Sequence, residues 1–277
     1  LVLGHEIGGV ITSGPNAGQR VALDPSDPCE RCEYCVTGHG NLCSRLRFSG
    51  HGETDGALRE LMAWPKRLLL PVPDEMPDPE VPLLEPLGVA IHAIELGHFR
   101  PGMRAGVYGC GPIGLLMIAA LRAMLASEVV ATEPLAHRRA AALEAGADSV
   151  WMVNEDGIST EASAHSVDVA FETAGHDGAV ATAMSAVRPG GRVVLAGIPS
   201  SDGTTFVASI ARRKALSLVL SRRMKGHHLA RAMALVSGRK VRLAPIVSDR
   251  FPLEEGKLAF ERLERREGLK VIVEPAA

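Results

Sequence analysis

The pattern that most constrains the fold is Gly109-Cys110-Gly111-Pro112-Ile113-Gly114, a G-x-G-x-x-G set between a short apolar run and the apolar stretch 115–126. In a dinucleotide-binding reading the first glycine makes a tight turn and the second admits a pyrophosphate against the backbone. The third lets the next helix pack on its strand. That helix directs free N–H groups and the positive end of its dipole at the anion. Glycine turns are common, so context decides. Residues 128–132 read as the next parallel strand, and Glu133 stands 19 positions after Gly114. That is close to the roughly 20 expected for an acid on ribose hydroxyls. Its carboxylate would repel a 2′-phosphate, which favours NAD. Gly109, Gly111, Pro112, Ile113, Gly114 and Glu133 are therefore candidate cofactor contacts. Arg138 and Arg139 keep NADP open; both read as solvated helix residues, and Arg138 is retained as a candidate contact.

From 106 to about 220, strand and helix patterns alternate. Strands are expected over 105–108, 129–132, 149–153, 167–171, 192–196 and 216–220, with helices over 135–145 and 178–187. Such alternation predicts an α/β fold with a doubly wound parallel sheet. Ligands bind at the carboxyl ends of its strands, where the glycine loop, Glu133, Thr173-Ala174-Gly175 and Gly197-Ile198-Pro199 all fall. The remainder reads as helix 226–237, strand 245–251, helix 254–263 and strand 269–273.

The chain has 277 residues, 46% of them hydrophobic, enough for one large or two ordinary cores. A formal net charge of −2 and 4% aromatic residues argue against a nucleic-acid partner, which needs basic grooves and stacking platforms. The longest apolar stretch is far shorter than the roughly 20 residues of a membrane span. With no signal-peptide pattern at the start, a cytoplasmic protein is expected.

The opening residues read as β structure, with runs at 10–12 and 20–23, and 57–70 reads as strands. The proline-rich 71–79 reads as a linker. His5 and Glu6 are either metal ligands or a hydrogen-bonded pair, and Glu85 is either a helix cap or a buried functional carboxylate. Cys29, Cys32, Cys35 and Cys43 place four of five cysteines within 15 residues as C-x2-C-x2-C-x7-C. Four thiolates at this spacing can close a tetrahedral shell around zinc. An iron–sulfur cluster competes but usually has a closer fourth cysteine. Disulfides between such near neighbours are awkward. Cys110 reads as a small filler.

Together these segments resemble the zinc-dependent medium-chain dehydrogenases, and within them the polyol (sorbitol, iditol, xylitol) dehydrogenase branch. The match is carried by Gly4-His5-Glu6, the cysteine lobe closing in Asn41-Leu42-Cys43, Asp55-Gly56-Ala57, Glu85-Pro86-Leu87 and the glycine loop. It continues through Gly146-Ala147-Asp148, Arg188-Pro189-Gly190-Gly191, the run 212–218, Arg222-Arg223-Met224-Lys225 and Phe251-Pro252-Leu253-Glu254. Glu85 marks the branch, since classical alcohol dehydrogenases have a cysteine ligand at the matching place.

The resemblance implies a GroES-like β-rich catalytic domain over 1–85, with a structural zinc lobe at 29–43. A Rossmann NAD-binding domain over 86–225 and a return to the catalytic domain over 226–277 complete it. It implies a catalytic zinc on His5, Glu6 and Glu85, Arg222 on substrate hydroxyls, and hydride transfer from a polyol's secondary alcohol to NAD, giving a ketose. A dimer or tetramer is implied, with the 216–220 edge as one place to pair. The family also has a cysteine ligand and a proton-relay serine or threonine ahead of Gly-His-Glu. This chain starts at that motif, so a truncated catalytic domain is expected. Alternatives are an inactive NAD- and zinc-binding fragment, a threonine dehydrogenase-like enzyme and a zinc-ribbon interaction protein.

Overall fold

The opening strands form where short β-branched runs meet glycine turns. In the computed structural model, which describes residues 1–200 and 202–275, Ile7–Val10 (β1) pairs antiparallel with Arg20–Leu23 (β2). Two short strands follow, Ser26–Asp27 (β3) and Arg47–Phe48 (β4), antiparallel to each other, and then Leu69–Pro71 (β5), which pairs with β2. The order of the first sheet is β1-β2-β5. Ile7, Val21 and Leu23 form its buried face, with Met62 and Trp64 packed against them.

Three sequence expectations are corrected here. The first strand covers Ile7–Val10 and not 10–12, because Gly8 and Gly9 pair with Ala22 and Val21 despite their weak strand preference. A side chain at Gly8 would meet Val81 Cγ1 at 2.8 Å. Residues 57–70 are mostly irregular. Ala57 and Leu58 donate to Gly4 and Leu3 carbonyls, a tight Arg59-to-Ala57 bond ends that pairing, and Pro65, with no N–H, leads into the 3-10 turn Lys66–Leu68. The proline-rich 71–79 is no spacer: Val72 N–H donates to Arg20 O, Arg20 donates to the carbonyls of Pro73 and Asp74, and Met76 is buried.

The cysteine lobe contains one short helix, Glu33–Val36 (α1). After a 3-10 segment, Asp78–Leu83, comes Leu84–Leu96 (α2), with Pro86 accommodated in its first turn.

Six strands then build an all-parallel sheet: Arg104–Tyr108 (β6), Glu128–Thr132 (β7), Ser149–Trp151 (β8), Val167–Glu172 (β9), Val187–Leu195 (β10) and Ser217–Leu220 (β11). Their order, β11-β10-β9-β6-β7-β8, reverses direction between β6 and β9, the doubly wound topology whose switch point lies beside β6. Between them run Pro112–Ala123 (α3), Ala136–Glu144 (α4), Thr160–Ala164 (α5), Asp177–Ala186 (α6) and Ala208–Lys214 (α7). Tyr108, Val130, Ala170, Met184 and Val193 sit in one buried cluster of this unit.

The chain closes with Gly226–Ser237 (α8), Val247–Pro252 (β12), Gly256–Glu264 (α9) and Lys270–Glu274 (β13), in which β12 and β13 pair in parallel. Two compact units result. One holds Leu1–Val89 and the segment from Arg223 onward; the other is the continuous Ala90–Arg222.

Candidate metal and dinucleotide sites

In the Ala90–Arg222 unit, β6 ends at Tyr108 and the backbone turns at Gly109, whose φ of +112° favours glycine. A Cβ on Gly109 would lie 2.7 Å from Ala174 N, and one on Gly114 would lie 2.0 Å from Gly109 O. Both glycines are thus required by close backbone approach. Gly111, at the N-cap of α3, is different: its nearest neighbour is Arg138 Nη1, 3.9 Å from where a Cβ would stand. This leaves a shallow cradle at the start of α3, where Pro112 occupies the first turn and no side chain caps the helix. Such a cradle fits a dinucleotide pyrophosphate.

Two acids brace it. Glu133, buried at the end of β7, accepts from Cys110 N–H at 2.9 Å and from Leu135 N–H at 3.1 Å. Glu172, buried at the end of β9, accepts from Ala174 N–H at 2.8 Å and Gly175 N–H at 2.6 Å. Burial holds the Glu172 carboxyl above its usual range against these amides. Thr173 Oγ1 donates to Gly109 O at 2.7 Å, tying the two loops together. Sequence reading missed Glu172, although it directly precedes the Thr173-Ala174-Gly175 loop. Arg138 and Arg139 are not solvated as expected: both are half-buried, and Arg139 donates to the carbonyls of Glu133 and Pro134.

In the other unit, the ligand atoms of Cys29, Cys32, Cys35 and Cys43 all lie within 4.8 Å of one another. Cys43 Sγ accepts from the N–H groups of Cys29 and Arg45, each at 3.4 Å, and Arg45 Nη2 donates to Cys29 Sγ at 3.4 Å. The Arg31 backbone N–H holds the Cys29 thiol down at about 6, while burial raises Cys35. Four sulfurs at this separation, served by N–H donors and one guanidinium, fit a closed tetrahedral zinc. The lobe is anchored at Asp27, which takes ion pairs from Arg47 and Arg67.

The same unit gathers His5, Glu6 and Glu85, whose ligand atoms also lie within 4.8 Å of one another. His5 is positioned by backbone packing: Gly56 N–H donates to Val2 O at 2.7 Å, and a Cβ on Gly56 would lie 2.3 Å from Gly4 O. Glu85 comes from the first turn of α2 and is buried, not a cap. Burial pushes its carboxyl up to about 8, Asp24 adds to the shift, and Arg223 opposes it. Burial and the positive fields of Lys270, Arg223 and His51 hold His5 below its usual range, so its imidazole keeps a lone pair at neutral pH. An imidazole and two carboxylates fit a divalent zinc.

Four residues around this cluster were not found from sequence. Lys270 Nζ donates to Glu6 Oε2, and Asp24, pushed up to about 6 by burial, faces Glu85. The Phe48 ring lies 5.3 Å from that of His5, and Arg223 Cζ lies 4.0 Å over the Phe48 ring. Only Arg223 had a signal, as the neighbour of Arg222. Arg222 itself is exposed and ends the other unit. His5, Glu6 and Lys270 line a cleft of about 1410 Å³, with Met62, Trp64 and Phe260 on its apolar walls. Among the described residues, no helix is long and apolar enough to cross a membrane.

Two family models and a set of known proteins match this chain. A model of the alcohol dehydrogenase GroES-like domain matches residues 1–74, and a model of zinc-binding dehydrogenases matches residues 112–238. A probable D-xylulose reductase A of Aspergillus terreus is 31% identical over 292 residues, which span 99% of this chain and 81% of that protein. Sorbitol dehydrogenase of Bacillus subtilis is 31% identical over 286 residues, with 99% and 81% covered. Among solved structures, L-idonate 5-dehydrogenase from Escherichia coli matches with a TM-score of 0.91 at 28% identity, covering 99% of this chain and 82% of that one.

Proposed function

The chain belongs to the zinc-dependent medium-chain alcohol dehydrogenase family, and from that premise we propose that it oxidises a secondary alcohol of a polyol to a ketose with NAD as hydride acceptor. The observation that carries this reading is the convergence of His5, Glu6 and Glu85 in one unit, built apart from the closed cysteine lobe. A zinc ion on these residues supplies a Lewis acid for the alcohol oxygen, and NAD supplies the hydride acceptor. Similarity to a xylulose reductase and a sorbitol dehydrogenase supports a polyol substrate.

In this proposal the unit of Leu1–Val89 and the C-terminal segment is the catalytic domain, and Ala90–Arg222 is the dinucleotide domain. His5 contributes a neutral imidazole nitrogen, Glu85 a buried carboxylate, and Glu6 an oxygen whose orientation Lys270 holds. Gly109, Gly111, Pro112, Ile113 and Gly114 cradle the pyrophosphate, Glu133 takes the adenosine ribose, and Arg138 flanks it. Arg222 donates to substrate hydroxyls. Cys29, Cys32, Cys35 and Cys43 hold a second, structural zinc, whose need for thiolates suits a reducing cytoplasm. A homo-oligomer forms through the exposed edge of β11.

The test is reduction of NAD by the zinc-loaded protein with hexitols and pentitols, scored as one ketose per reduced nicotinamide. No turnover with any polyol, despite NADH binding, would leave a binding module. Preferential turnover of L-threonine would assign the threonine dehydrogenase-like activity instead.

A further inference from the structure

Glu172 differs from Glu133 in having no face left for a ligand. It is only 2% exposed, and the backbone around it takes up its carboxylate. Oε1 accepts from the N–H groups of Ala174 and Gly175, and those of His176 and Gly197 act on the same carboxylate. Oε2 faces Gly197, where a Cβ would lie 2.7 Å away. The main-chain carbonyl of Glu172 accepts in turn from Ala196 N–H at 2.8 Å and Gly197 N–H at 3.0 Å. One residue therefore ties together the loops that follow β9 and β10, residues 173–176 and 196–199. These loops meet backbone to backbone: a Cβ on Gly175 would lie 2.2 Å from Ile198 O, and one on Gly197 would lie 2.2 Å from Gly175 N. No side chain fits between them, so the buried carboxylate sets their spacing. Thr173 carries that spacing to the glycine cradle through its bond to Gly109 O.

A doubly wound sheet holds its dinucleotide across the switch point, here between β6 and β9. In the proposed site Glu133, on the β7 side, takes the adenosine ribose, so the nicotinamide half extends over the ends of β9 and β10. Ile198, 90% exposed at that end, offers an apolar surface to a flat ring. We propose that Glu172 is a positioning residue for the nicotinamide half of the cofactor. It touches neither cofactor nor substrate and acts by fixing the two loops over which the ring lies. This rests on the dinucleotide reading of the cradle and goes beyond it, dividing the cofactor between two acids with different tasks. Loss of the carboxylate strands buried N–H groups and frees the two loops, a change that the adenosine half does not feel.

The experiment measures, by calorimetry, binding of NADH and of ADP-ribose, which lacks the nicotinamide ring, to the parent, E172A and E172Q. Hydrogen–deuterium exchange follows the ligand-free proteins. E172A should weaken NADH by about tenfold, leave ADP-ribose within about twofold, and speed exchange at 173–176 and 196–199. E172Q keeps an oxygen for Ala174 and Gly175 but sets an amide NH2 against Gly197 N–H. It should therefore weaken NADH by less than E172A and speed exchange at 196–199 alone. Equal weakening of both ligands would make Glu172 a general fold contact, and unchanged NADH binding would make it dispensable; either result overturns the proposal. Where E172A does not fold, E172Q decides by the same split between ligands. A parent that binds neither ligand overturns the dinucleotide reading itself, and the proposal with it.

Discussion

At the scale of single residues, the two sites are set by what cannot be replaced. Gly114→Ala would drive a Cβ to 2.0 Å from Gly109 O, so helix α3 must move away from β6. We expect this variant to lose NADH binding by fluorescence titration and to lose roughly 2 kcal/mol or more in urea unfolding. Glu85 makes a pH prediction for the metal-free protein. Its folded carboxyl titrates near 8 against an ordinary value of 4.5, so in this interval the folded state holds a proton that the unfolded chain has released. Glu85's contribution to stability is therefore fully present below about pH 4.5 and is lost as pH rises through about 8. Asp24, raised to about 6, steepens the lower part of the same slope. Glu85→Gln should flatten the upper part in urea midpoints and lower zinc content by mass spectrometry. An unchanged slope would show that Glu85 ionises freely.

Among the elements, the cysteine lobe is the one we expect to depend on metal. Its helix α1 has only four residues, none buried, too short to persist by its own backbone bonds. Local backbone hydrogen bonds between residues 29 and 43 are supported by the sulfur cluster and by the ion pairs at Asp27 and Glu30. Cys43→Ser should release one zinc equivalent and open the lobe to limited proteolysis, while NADH titration stays within twofold of the parent. Protease resistance equal to the parent would assign the lobe's order to Asp27 and its arginines alone. The parallel sheet contrasts with this lobe. Its central strands β6, β7 and β9 are largely buried and apolar, so alternation with helices made them legible, with boundaries to within a residue. The irregular 57–70 was not legible, because Pro65 and the Arg59 turn override an apolar pattern that reads as strand.

For the whole molecule, the open question of scale is self-association. β11 is the outer strand of the six-stranded sheet, and Leu220 on it is 77% exposed. An unprotected parallel edge with an exposed leucine invites a second copy, and a C2 partner would extend the sheet through its own β11. Leu220→Lys should shift the protein toward monomer in sedimentation velocity. A persisting dimer would move the interface to another face.

The amino-acid sequence alone determined what local chemistry can specify: the glycine loop, the strand–helix alternation and four cysteines at ligand spacing. Each of these is read from neighbours within about twenty residues, the range over which spacing and periodicity act. Tertiary structure decided what depends on residues far apart in the chain. It brought Lys270 to Glu6 across 264 positions, set Arg223 on Phe48, and turned Glu85 from a possible helix cap into a buried acid beside His5. Burial and the field of distant charges set those ionisation states, and neither exists until the β13 segment has closed against the opening strands.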